Sequence, residues 1–179
     1  MSRIGDTLFL APDVPFANLD LSGERLPTQL QQRIAGFYLR PAMDLAIAKH
    51  AFAAGLLVVC GMDALGLLMT GASDSQARFK GLCRKIPDLA CDGNDELFCE
   101  HFRNGLVHEA RVKKGSEFSL GIDSVAVPDR GRLIVHPLLL AKSVNSLLTE
   151  YIKDVYLDPE AKNALRKKLK RTFRYELEH

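Results

Sequence analysis

The chain has 179 residues, 47% apolar and 26% charged, which excludes a disordered or low-complexity protein and suits one soluble globular domain with a sizeable core. Its 24 basic and 22 acidic residues leave a net charge of only +2, so any affinity for nucleic acid has to come from local basic patches. The cysteines, Cys60, Cys83, Cys91 and Cys99, form no C-x-x-C pair. That excludes the common zinc spacings and reads as four buried, reduced thiols of a cytoplasmic protein.

Residues 1–27 read as an irregular segment, because Pro12, Pro15 and Pro27 interrupt every apolar period. Asp6 and Asp13 flank the short apolar run Leu8–Leu10 and interrupt any signal-peptide pattern. A helical domain is expected over 28–176, opening at Thr28 as a cap and continuing through Leu30, Ile34, Phe37 and Tyr38. Pro41 suits the first turn of a long apolar helix over about 42–70. Its stretch AFAAGLLVVCGMDALGLLM is nearly long enough to span a bilayer, but Asp63 and the glycines at 55, 61 and 66 weigh against that. The reading preferred is a central helix of a soluble bundle, away from any membrane and apolar on most sides because other helices surround it.

Gly71-Ala72-Ser73-Asp74 closes that helix and caps the next, about 75–86. A loop follows, and Asp95 opens a helix expected to run to Lys113 and stop at Gly115. Then the period changes to two. Phe118, Leu120, Ile122, Val125 and Val127 alternate with other residues up to the turn Pro128-Asp129-Arg130-Gly131, and Leu133 to Val135 return as a second strand. A hairpin is therefore expected at about 117–136. Helices over about 138–156 and 159–175 follow, and Leu177-Glu178-His179 (residues 177–179) reads as the remnant of a histidine tag. The expected fold class is all-α, an up-and-down helical bundle with a small β-hairpin insert.

The chemistry lies in F-R-N-G-L-V-H-E-A, residues 102–110. On a regular helix Asn104, His108 and Arg111 fall at i, i+4 and i+7, one polar stripe bordered by Glu100 and His101. Phe98, Phe102, Gly105 and Leu106 form the core-facing side. Arg103 lies about 140° from His108, so the two meet only if the arginine swings round or if a second subunit supplies one of them. Histidine is the side chain that titrates near neutral pH, and arginine offers a planar fork of donors that stays charged. Spacing alone is weak evidence, since Arg130 with His136 and Arg174 with His179 match the same loose pattern.

The stretch R-N-G-L-V-H resembles the R-N-x-x-x-H signature of the HEPN superfamily, and V-V-C-G-M-D-A-L is similar to the buried first-pair helix of those domains. The resemblance covers about 28–175, with only the six-residue motif specific. It implies a homodimer whose motif helices meet at a shared cleft. It also implies a metal-independent endoribonuclease without cofactor, often a toxin or defence component and sometimes restrained by an antitoxin or other regulatory protein. Some members keep the fold as non-catalytic RNA-binding or dimerisation modules. The roles expected are His108 as acid or base, Arg103 as clamp on the phosphoryl oxygens, Asn104 as orienter and Arg111 as a second phosphate contact. Asp63 either accepts from an arginine such as Arg103 and so fixes the clamp, or bonds a neighbouring helix or sits at a dimer seam, and His101 is expected to support the stripe. Cys99 with His101 is too small a set for a metal, and none is expected. The last helix carries Lys162, Arg166, Lys167, Lys168, Lys170, Arg171 and Arg174. This run is either a solvated face or a track for an RNA backbone, with Arg166, Lys167, Lys170 and Arg171 as the contacts.

Overall fold

The computed structural model describes residues 2–70 and 74–178, so Gly71, Ala72 and Ser73 of the expected loop, and His179, lie outside the described residues. The fold is mainly α, 66% helix with small sheets. The chain divides into two compact units, residues 1–37 with 148–179, and residues 38–147.

The first unit overturns the expectation of an irregular N-terminus. Strands β1 (Ser2–Ile4), β2 (Thr7–Ala11) and β3 (Val14–Pro15) form an antiparallel sheet in sequence order. Its strands are short enough to place their prolines at ends and turns, which is why no sustained alternation marks them. Helix α1 (Leu26–Ile34) begins at Leu26 with Pro27 in its first turn. Thr28 is thus inside the helix and not its cap, and its hydroxyl bonds the Tyr156 hydroxyl. Arg33 donates to the Leu10 carbonyl at 2.6 Å and lies over the Phe37 and Phe173 rings, joining sheet and helices.

The helix continues past α1 through a wide π-type turn at Ala35–Leu39 into α2 (Arg40–Ile47). The widened turn precedes Pro41, whose missing N–H and bulky ring disfavour a regular turn there. The expected single helix over 42–70 is in fact two. Lys49 takes the left-handed conformation at φ 66, and the bonds His50 N to Leu45 O (2.8 Å) and Lys49 N to Ala46 O (3.0 Å) close α2 in a Schellman cap.

Helix α3 (Ala51–Thr70) follows. It is long and apolar enough to cross a membrane by length and composition, and half of it is buried in the fold. Ala54, Val58, Met62 and Leu65 are fully enclosed, while Phe52, Leu56 and Cys60 line an exposed stripe. Of the four thiols only Cys83 and Cys99 are buried, and Cys60 and Cys91 are exposed, contrary to the expectation of four buried ones.

Asp74 caps α4 (Ser75–Cys83), accepting from Gln76 N and Ala77 N. Two single turns, α5 (Pro87–Ala90) and α6 (Asn94–Leu97), lead to a second π-type stretch, Phe98–Arg103, and then α7 (Asn104–Glu109). A ladder of rings, Phe79, Phe98, Phe102, Phe118 and Phe52, runs through this unit with successive centroids 5.5, 4.9, 4.8 and 6.4 Å apart. It anchors the motif segment to α3 and α4 through stacked and edge-on contacts.

The second sheet has the order β4-β6-β5. Strands β5 (Ala126–Asp129) and β6 (Arg132–Val135) make the expected hairpin, with Arg130 and Gly131 both at positive φ in its turn. The first strand is shorter than its alternation implied. Only β4 (Glu117–Phe118) pairs, parallel to β6, and the Phe118 ring packs against Gly55 of α3. His136 opens α8 (Pro137–Leu157), its Nδ1 accepting from Leu139 N at 3.3 Å. Helix α9 (Pro159–Thr172), capped by Asp158, ends before Phe173, and a last turn, α10 (Arg174–Glu178), follows.

Candidate active site

The motif straddles a change of helix type. Arg103 ends the π-type stretch and Asn104 begins α7, which stops at Glu109 because Ala110 adopts φ 54. The helix therefore ends well short of Lys113, and residues 110–116 fold back along it as a strap. Ala110 N and Arg111 N both reach Gly105 O, and Lys113 N donates to His101 O at 2.9 Å. Gly105 permits this approach, since a Cβ there would sit 2.4 Å from the Arg111 carbonyl oxygen. Ion pairs fasten the strap outside. Glu109 meets Arg111 and Lys113 at 2.6 Å each, and Lys114 meets Glu100 at 2.7 Å. These cations lower the carboxyl pKa of both Glu109 and Glu100, chiefly through hydrogen bonds from Lys113 and Lys114 respectively.

Arg103 turns inward to α3. Its Nε donates to Asp63 Oδ2 at 3.2 Å and its Nη1 to Asn104 Oδ1 at 3.1 Å. The Arg103 side chain is only 12% exposed and Asp63 30%, so the guanidinium is a half-buried charge held in one orientation. A guanidinium has five N–H donors, and these two bonds leave three for other acceptors. Asn104 spends its carbonyl on Arg103, which makes it a partner of the clamp and not an orienter of His108.

His108, one turn further on, is exposed and makes no hydrogen bond or ion pair among the described residues. It is the free edge of the site. Arg111 and His101 both depart from the expected stripe. Arg111 does not continue the stripe at i+7: it lies beyond the helix end, paired with Glu109. His101 does not border the stripe: it is 1% exposed, with Nδ1 2.8 Å from Ser116 Oγ, which in turn accepts from Leu133 N. Burial lowers the His101 pKa, against the opposing pull of Glu100. Cys99 also faces the interior, where burial raises its thiol pKa, and no third ligand joins it and His101 among the described residues.

Ser116 and Glu109, the anchors of the strap, were not singled out from sequence. An exposed glutamate four residues before a lysine hints at the second, but nothing local marks Ser116. In the other unit, Lys162 bonds Glu24 at 2.7 Å and Arg166 donates to the Ser22 carbonyl at 3.1 Å, while Lys167, Lys170 and Arg171 are exposed. A half-open hollow of about 570 Å³, lined by Arg3, Leu8, Phe16 and Tyr175 among others, also lies in that unit and contains no motif residue.

Fold and site together define a mainly helical protein whose Arg-Asn pair is set by an aspartate from a second helix, with an exposed histidine one turn away. No family model, curated protein or solved structure matches this chain.

Proposed function

We propose that the chain is a metal-independent endoribonuclease of HEPN type, acting in the cytoplasm as a homodimer with Arg103 and His108 from both copies at one cleft. In this reading residues 28–176 make up the up-and-down bundle of that superfamily. The observation that carries it is the held guanidinium of Arg103, fixed by Asp63 and Asn104 on the segment that also presents His108. Cleavage without a metal uses the RNA 2′-hydroxyl as nucleophile on the adjacent phosphorus. The P–O bond to the 5′-oxygen breaks and a 2′,3′-cyclic phosphate remains. His108 takes the 2′-hydroxyl proton or protonates the departing oxygen, and Arg103 stabilises charge on the phosphoryl oxygens.

Two features support a dimer. Arg103 bonds Asp63 of α3 and Asn104, not His108 of its own chain, so a complete site asks for a histidine from elsewhere. The exposed stripe Phe52, Leu56 and Cys60 runs along α3 towards Asp63, beside the motif. Restraint by an antitoxin or regulatory protein belongs to the same proposal.

The test is incubation of single-stranded and structured RNA with the protein in EDTA, beside His108→Ala and Arg103→Ala made identically. Wild type should cut and leave cyclic-phosphate ends, with His108→Ala slower by roughly 10²- to 10⁴-fold. Equal cutting by all three, or none by wild type, sinks the catalytic reading and leaves a non-catalytic RNA-binding or dimerisation module.

A further inference from the structure

Helix α9 is where the chain keeps its positive charge. Six of its 14 residues are lysine or arginine and only Glu160 is acidic. Since the whole chain nets only +2, the rest of the molecule is net negative. The fold then sorts these cations. Lys162 is spent on Glu24 and Arg166 on the Ser22 carbonyl, with the Arg166 Nε buried. Lys167, Lys170 and Arg171 are exposed and stand at i, i+3 and i+4, one stripe on the side away from the buried Leu165 and Leu169.

We propose that Lys167, Lys170 and Arg171 form a phosphate-tracking surface that holds an RNA strand, apart from the residues that cut it. The choice of RNA as the polyanion rests on the nuclease reading; the sorting of charges does not. Three long cationic side chains within about 6 Å of helix axis match a run of closely spaced backbone charges. A membrane surface is the poorer fit. A helix lying in an interface buries an apolar face there, and the apolar face of α9 is already covered, with Leu165 at 2% and Leu169 at 1% exposure. An acidic protein partner is also disfavoured, since lysine is depleted from protein interface cores. Arg166, expected from the sequence to be a contact, is half-buried with one donor on the Ser22 carbonyl and is not part of the exposed stripe.

The experiment measures binding of a fluorescent 20-nucleotide 2′-O-methyl RNA, which cannot be cut by 2′-hydroxyl attack, to the full chain across a salt series. Each phosphate contact with a single strand contributes about 0.7 to the slope of log affinity against log salt. The triple variant Lys167→Gln, Lys170→Gln, Arg171→Gln should flatten the slope by about 2, and Lys162→Gln should leave it unchanged. Single variants Lys167→Gln and Arg171→Gln, each flattening it by about 0.7, provide the same reading should the triple not fold. An unchanged slope in these variants overturns the proposal. So does wild-type binding to phosphatidylserine vesicles with none to the oligonucleotide. Because the probe is uncleavable, the surface can stand while the nuclease reading fails, and the reverse.

Discussion

His101 and His108 lie seven residues apart on one segment and have opposite fates. His101 is sealed inside, its ring on Ser116, its carbonyl taking the Lys113 amide and its neighbours Phe98 and Phe102 stacked in the ring ladder. His108 is exposed and unpartnered among the described residues. Between them Arg103 is neither buried nor free, tied to Asp63 and Asn104. One segment thus has an inner side that fixes its place and an outer side that holds chemistry in reserve. The difference shows how a histidine's role follows from its partners: one in the interior must stay neutral and bonded, while one at a site needs access to substrate.

The contrast predicts that inner substitutions lower stability and outer ones lower activity. The largest stability effect is expected at Phe102, fully buried between Phe98 and Phe118. Phe102→Ala should cost about 3–5 kcal/mol in urea unfolding, whereas His108→Ala, the nuclease test variant, should stay within about 0.5 kcal/mol of wild type. Equal costs would erase the distinction between the two sides. Gly105→Ala is a sharper test because its sign is in question. On an open helix alanine gains about 1 kcal/mol over glycine. Here its Cβ would meet the Arg111 carbonyl at 2.4 Å, so the strap must lift. The variant should be destabilised by about 1–2 kcal/mol, on the scale of a local overpacking. A more stable Gly105→Ala would mean that the strap does not rest on the helix.

Some of this was legible in the sequence, for physical reasons. Asp74 could be read as a cap because a short acidic side chain before a helical period has one good use. Phe98, Phe102 and Leu106 could be placed inward from their spacing, while Arg103 was one of several partners open to Asp63 and is the one it bonds. What escaped were features whose usual signals are absent. Lys49 and Ala110 end helices in the left-handed conformation where glycine is the expected residue, so the breaks after α2 and α7 went unmarked. The π-type stretch Phe98–Arg103 has more residues per turn than an α-helix. A wheel drawn at 100° per residue loses phase across it, which is why His101 was set beside the polar stripe when it faces Ser116. The strap itself depends on tertiary contacts that no local pattern encodes.

The smallest expected effect concerns pH, and it comes from the buried side of the segment. Burial depresses the pKa of His101, with Lys113 and Lys114 adding to the shift and Glu100 opposing it. His136 is depressed by burial too, and its Nδ1 must be unprotonated to accept from Leu139 N at the start of α8. For a histidine whose folded pKa lies below its unfolded value, the unfolded chain binds the proton first as pH falls. Stability is therefore complete above about pH 6.5, the ordinary histidine value, and declines below it until the folded state also protonates. Urea midpoints should fall from pH 7 to pH 5. His101→Asn keeps an acceptor for Ser116 but cannot titrate, so its midpoint should fall less over that range. A His101→Asn midpoint that fell as far as that of wild type would mean that the buried ring does not carry the pH dependence, and would leave His136 as its source.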